Sequence, residues 1–346
     1  MSAAGEYRRE LKRRISFSFF TLFLLFAIFL IALSLGSYKM SVSELLSALI
    51  NGEPALWNVR IPRIITAIIV GASLSVSGAV LQCILKNPLA SPFTLGITHG
   101  AAFGASVAIV FFSAGTLHRV GEGVTISNPY LTTIFAFAGA MSTALIILTL
   151  ARLRNLSPVA IILAGVAMSS LYQAGVMLIQ YFATDIQVAA IVFWTFGDVS
   201  RTFWKEIWIL SAVLIVCMVF FIYRSWDYNS LLLGDETAKS LGVEVQRVRL
   251  EGLVLTSLLT ATCVAFTGII GFVGLVAPHM VRLIIGGDYR FLIPSSAILG
   301  SLILLASDTV GRTIIAPTIL PVGIITSMLG APMFIYLLLK GGGRYD

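Results

Sequence analysis

The sequence predicts an all-α fold: a polytopic membrane protein of about ten transmembrane helices forming a single domain over residues 1–346. Three observations carry this. Of 346 residues, 58% are hydrophobic and only 11% charged, whereas a soluble domain carries roughly 25% charged residues. Apolar runs without charge recur at close to the ~20 residues that cross a bilayer as helix. Lys and Arg gather in alternate connections between those runs, which fixes an orientation for each.

The first apolar run, 15–36, follows "RRELKRR" at residues 8–14 and as helix would be about 33 Å long. Residues 1–14 read as a basic cytoplasmic tail. Ala32-Leu33-Ser34 mimics a signal-peptidase site, but the run is longer than a usual signal core, so an uncleaved anchor is expected. In "MSVSELLSALING" (40–52), Ser41 and Glu44 stand at capping-box spacing, Leu45, Leu46, Leu49 and Ile50 form a stripe, and Gly52 ends it. That pattern predicts a short interfacial helix.

The remaining spans are expected at 64–85, 93–112, 129–151, 158–182, 204–223, 251–268, 271–286, 291–308 and 319–339. Gly96, Gly100 and Gly104 recur every four residues and predict a close helix–helix contact. The eighth span, within "GFVGLVAPHMVRLIIG", is short and carries Pro278, His279 and Arg282. It reads as a broken helix lined by protein. Spans two to five and seven to ten would run in opposite senses, as an inverted repeat requires, although the sequence shows no clear echo between them.

With the N-terminus inside, only Lys39, Arg60, Arg63, Arg119, Arg201, Lys205 and Arg312 of the 23 Lys and Arg fall outside. This bias predicts an even number of spans with both termini in the cytoplasm. It also accounts for the net charge of +7 through membrane topology, without nucleic acid as a partner.

Enzyme classes find no support. There is no G-x-x-x-x-G-K-[ST] and no H-E-x-x-H; His99, His118 and His279 lie on separate segments, and Cys83, Cys217 and Cys263 sit singly in apolar runs. No catalytic residue, metal site or bound cofactor is expected. An ion-coupled carrier should bury ionisable groups near the bilayer midplane. Here Glu206, Glu251 and Asp308 lie near span ends, and 155–184 and 313–339 hold no charge. A secondary transporter driven by an ion gradient is therefore the alternative reading, and energy supplied by a partner protein the leading one.

The segment 224–249 is where such a partner would act. Gly234 and Gly242 bracket "DETAKSL", about two turns of helix with Asp235 and Glu236 at the positive end, Lys239 further on, and Ala238 and Leu241 on one side. The predicted topology puts it in the cytoplasm.

Four stretches resemble one family: "RIPRIITAIIVGASLSVSGAVLQCILKNPLASPFTLGITHGAAFGA" (60–105), "LGDETAKSLGV" (233–243), "GFVGLVAPHMVRLIIGGDYR" (271–290) and "LPVGIITSMLGAPMFIYLLLK" (320–340). Together they are similar to the FecCD family, the membrane permeases of type II ABC importers for iron-siderophores, haem and cobalamin. The resemblance implies a homodimer or paired half-permeases with ten helices each, two cytoplasmic ATPases that use ATP and Mg, and an extracytoplasmic binding protein. It implies that Gly234, Asp235, Glu236, Ala238, Lys239, Leu241 and Gly242 form the ATPase-coupling element. It further implies that Arg60, Arg63 and Arg312 dock the binding protein, and that Asn87, Leu89, Ser157 and Pro158 belong to a cytoplasmic gate. The family pattern is broken at Ile269, where proline is usual, and at Ser307 and Gly311, where alanine is. His279 is expected to be structural or near the ATPase.

Overall fold

The computed structural model describes residues 3–35, 42–114, 117–120, 123–126 and 129–341. They form fourteen α-helices: α1 (Ala3–Ser34), α2 (Val42–Asn51), α3 (Ile61–Ile84), α4 (Ile97–Phe111), α5 (Pro129–Arg152), α6 (Pro158–Phe182), α7 (Asp185–Thr195), α8 (Trp204–Tyr223), α9 (Ser225–Leu232), α10 (Asp235–Ser240), α11 (Val245–Thr267), α12 (Val273–Ile285), α13 (Tyr289–Thr313) and α14 (Val322–Gly341). A small antiparallel hairpin, β1 (Leu117–Val120) with β2 (Gly123–Ile126), joins α4 to α5. By length and composition seven helices can cross a membrane, namely α1, α3, α5, α6, α8, α11 and α13. Residues 97–111, 185–195, 273–285 and 322–333 form shorter apolar helices. All ten expected spans are present as helix, and residue 41, one half of the expected capping box, lies outside the described residues.

Two helices lie outside the expected spans. The first is α7 at 185–195, where Thr184 and Gln187 close a reciprocal capping box that starts it. The second is α9, inside the segment 224–249: Arg224 interrupts α8 and the chain turns directly into α9.

At the centre stand α3 and α11, whose buried faces extend along nearly their whole length. Glycines let backbones meet there. A Cβ added to Gly71 would run into the Gly300 carbonyl of α13, and one on Gly78 into the Gly274 carbonyl of α12. On Gly100 it would lie 2.5 Å from the Gly139 carbonyl of α5, so the expected glycine-lined contact of α4 is real. Gly96 is not part of that face: it sits at the N-cap of α4 with φ +75°.

The helix pattern of 61–182 returns in 245–341. Lengths of 24, 15, 24 and 25 residues for α3 to α6 are matched by 23, 13, 25 and 20 for α11 to α14. The packing is crossed in the same way, α3 against α13 and α11 against α5. In both halves the second helix is short and follows a non-helical approach, 85–96 before α4 and 268–272 before α12.

Candidate translocation path and coupling segment

Ion pairs sort the helix ends into two clusters. At the end we call basic, Arg14 of α1, Lys86 after α3, Arg249 of α11 and Asp288 before α13 all find partners. At the opposite, distal end, Arg63 of α3 meets Asp308 near the close of α13. These antiparallel neighbours are what an alternating membrane topology produces.

The non-helical approaches to α4 and α12 line one cavity of about 550 Å³. Ser91, Phe93 and Thr94 contribute from the first, Ile269, Gly271 and Phe272 from the second, with Thr195, Phe196, Gly323, Ile324, Ser327 and Met328 completing the wall. Irregular backbone is tolerated inside a membrane bundle only where protein or a water-filled space covers it. Paired interrupted helices of this kind, in corresponding positions of two halves, mark substrate paths. The break expected within the eighth span lies ahead of it instead, at 268–272, while α12 runs unbroken through Pro278; the counterpart before α4 was not among the expectations. The signal was "NPLASPFTLG", with two prolines and a glycine within ten residues at 87–96.

The residues expected to form the coupling element fall on α10 and its two flanking glycines. Gly234 (φ +110°) and Gly242 (φ +85°) set α10 off as a separate two-turn element. Ala238 is fully buried beneath it, whereas Leu241, Leu232 and Leu233 are exposed. Glu236 and Lys239 pair with each other at 2.8 Å on the exposed side. Asp235 faces the bundle instead. It pairs with Lys86 Nζ at 2.7 Å and accepts from Arg249 Nη2 at 2.8 Å, while Arg249 Nε donates to the Ile84 carbonyl at 3.0 Å. Burial alone would raise the Asp235 carboxyl; hydrogen bonds from Lys86 and Arg249 outweigh it and hold the carboxyl below its ordinary range.

The expected gate residues lie in two turns, one after α3 and one before α6. Lys86 adopts φ +48°, and Asn87 Oδ1 accepts from the Leu89 amide at 2.9 Å, shaping the turn after α3. Ser157 caps α6 by accepting from the Ala160 amide at 3.2 Å, with Pro158 at the first helical position. Arg152 and Leu156 from that second turn border a cleft of about 720 Å³ shared with Lys239, Gly242 and Gln246. One short helix is thus tied to the turn after α3 through Lys86 and faces the α5–α6 turn across this cleft.

The three arginines expected to dock a binding protein lie together at the distal end, and two of them are buried. Arg63 and Arg312 are buried, at 7% and 4% exposure, and cannot meet a partner's carboxylates in this conformation. Arg63 donates Nε and Nη2 to Asp308 at 3.0 and 2.8 Å, and its Nη2 lies 3.7 Å from Asp198. Arg312 pairs with Asp308 at 3.0 Å and reaches the Leu35 carbonyl at 3.1 Å. Arg60, half-buried, donates to the Leu33 carbonyl at 2.8 Å. The cause is twofold: Asp308 is wholly buried and needs counter-charge, and α1 ends with open carbonyls that guanidiniums satisfy.

His279 is buried in α12, and among the described residues no group of three or more His, Cys, Asp or Glu could hold a metal. Cys83, Cys217 and Cys263 are free and buried.

Comparison with known proteins agrees with this architecture. The model of the FecCD transport family matches residues 24–340. The chain is 56% identical over 345 residues to an ABC transporter permease protein of Methanocaldococcus jannaschii, covering 98% of this chain and 99% of that one. It is 36% identical to the hemin transport system permease protein HmuU of Yersinia pestis, covering 90% and 93%. To the vitamin B12 import system permease protein BtuC of Salmonella arizonae it is 37% identical, covering 90% of each. Among solved structures, an inward-facing conformation of a metal-chelate type ABC transporter superposes with a TM-score of 0.81 at 31% identity, covering 93% of this chain and 98% of that one. The chain belongs to the FecCD transport family, whose members are membrane-spanning permease subunits of ABC transporters and not themselves enzymes.

Proposed function

We propose that this chain is the membrane permease of an ATP-driven importer for an iron chelate, a siderophore or haem complex, with cobalamin as the neighbouring possibility. It accepts substrate from an external binding protein and releases it to the cytoplasm. It works as a homodimer with two ATPase subunits that consume ATP and Mg, binding no cofactor itself. The basic end faces the cytoplasm in this reading, with both termini there.

The observation that carries the reading is α10. It exposes Leu241, Glu236 and Lys239, and through Asp235 it is bound to the end of α3 and to Arg249. A solvated loop needs no such anchorage; a handle that must transmit displacement does. The cavity between the approaches to α4 and α12 is the path, and the turns 86–90 and 153–158 are its cytoplasmic gate. At the distal end, Arg60 is left as the docking arginine, with Arg63 and Arg312 holding the rim in shape behind it.

Reconstitution in proteoliposomes tests this. Uptake of a ferric hydroxamate, haemin or cyanocobalamin should require an added ATPase subunit, binding protein and ATP. Uptake by this chain alone under a proton or sodium gradient would establish the secondary-transporter reading instead.

A further inference from the structure

A cluster of polar contacts ties α9, the helix before α10, to α1 and to the start of α13. Between α12 and α13 the chain makes an elbow, Gly286-Gly287-Asp288, with Gly286 at φ +86°. Asp288 caps α13 by accepting from the Arg290 amide at 3.2 Å. Capping would satisfy an exposed carboxylate, but this one is only 12% exposed and receives much more.

Arg14 Nη1 of α1 donates to its Oδ2 at 2.8 Å, and Arg14 Nε donates to the Ile285 carbonyl at 3.2 Å. Asn229 Nδ2 of α9 donates to its Oδ1 at 2.9 Å, and Asn229 Oδ1 accepts from the Tyr289 amide at 2.8 Å. The amide of Asn229 thus reads both groups of the elbow, an arrangement no carboxylate or lysine could reproduce. Arg290 donates Nη2 to Asp288 at 2.6 Å while its guanidinium lies 4.2 Å from the Trp226 ring of α9. One helical turn deeper, Ser18 of α1 and Ser295 of α13 hydrogen-bond at 2.8 Å.

We infer that Asn229, Asp288 and Arg14 form a rigid joint that makes the coupling segment, α1 and the cytoplasmic end of α13 move as one body, so that displacement of α10 is delivered to α13. These are positioning residues, touching neither substrate nor nucleotide. The delivery has a destination: α13 packs along α3 through Gly300 and Gly71, and its distal end carries Asp308 and Arg312. A pull on α9 and α10 therefore reaches the distal rim through one helix. Packed elements with charge-assisted joints move in this manner, as units shifting against their neighbours.

The inference rests on the proposed coupling role of α10, and the experiment separates the two. Spin labels are placed at Lys12→Cys on α1 and Ser240→Cys on α10, both exposed, in the full transporter assembled with its ATPase in lipid. A control pair combines Ser240→Cys with Leu153→Cys in the α5–α6 turn. In the native background the Lys12–Ser240 separation should be the same without nucleotide and after trapping with ATP and vanadate, while the Ser240–Leu153 separation shifts. Asn229→Ala should make the first separation shift too, and lower transport about tenfold while ATP hydrolysis continues. Asp288→Asn keeps the cap of α13 and removes the charge holding Arg14; it should act in the same direction if Asn229→Ala fails to fold. A Lys12–Ser240 separation that shifts on trapping in the native protein, or normal transport in both folded variants, would overturn the joint. Absence of any ATPase from the assembly would instead overturn the function on which it rests.

Discussion

Removing the carboxylate of Asp308 is the most informative single change at the distal end. Asp308 is wholly buried and is shared by two buried guanidiniums, Arg63 through a bidentate contact and Arg312 through one contact at 3.0 Å. The three side chains together carry one net positive charge, and Asp198, 3.7 Å from Arg63, is the remaining counter-charge. Asp308→Ala leaves two buried cations beside one partly exposed carboxylate. Truncating one partner of a buried pair costs about 3–5 kcal/mol, and with two guanidiniums orphaned the upper part of that range is expected. Arg63→Met should cost less, because Arg312 still pairs with Asp308. Arg312→Met should cost least, since the bidentate Arg63–Asp308 pair survives. Thermal unfolding in detergent or lipid nanodiscs ranks the three. An Arg312→Met variant as unstable as Asp308→Ala would refute the charge reasoning, and a stable Arg63→Glu variant that merely lost affinity for a binding protein would assign Arg63 to docking in place of this structural role.

Gly78→Ala should force α12 away from α3, because the new Cβ collides with the Gly274 carbonyl; overpacking of this kind costs about 1–3 kcal/mol, and native melting behaviour would contradict the contact. Leu241→Asp should leave folding unchanged, since Leu241 is exposed, yet uncouple ATP hydrolysis from uptake; normal coupling would reduce α10 to a loop. Asp288 gives a pH signature. Burial would raise its carboxyl, but Arg290 and Asn229 hold it down to about 2 from an ordinary 3.8. A depressed carboxyl stabilises the fold above its unfolded value and loses that contribution as pH falls, so about 2 kcal/mol should disappear between about pH 4 and pH 2. Melting curves of Asp288→Asn should lack that component, and an identical profile would refute it.

Much of this architecture was legible because hydrocarbon imposes a simple rule: charge-free runs near twenty residues must be helix. The ten spans and the α10 element, bracketed by Gly234 and Gly242, followed from that rule and from glycine chemistry. What escaped had local signals too weak for the rule. The α7 helix is shorter than a span and announced itself only through Thr184 and Gln187. The interrupted approach to α4 was hidden because 93–112 reads as one apolar run. The fate of Arg63 and Arg312 depended on a residue far along the chain, Asp308 being 245 positions from Arg63. An i,i+4 pairing with Arg312 was visible in "SDTVGR", but no local pattern says that α3 and α13 lie side by side. Likewise Asn229 and Asp288, 59 positions apart, carry no motif that joins them.

The central claim is that residues 235–242 face the cytoplasm and are the point at which an ATPase moves this chain. Site-directed cross-linking tests it most directly, with a single cysteine at Lys239 in membranes containing the assembled transporter. That cysteine should be modified only from the cytoplasmic face and should cross-link to the ATPase subunit with a yield that changes when ATP is trapped. Modification from the outer face, or a fully assembled transporter in which the cysteine never cross-links to a nucleotide-hydrolysing subunit, would contradict it.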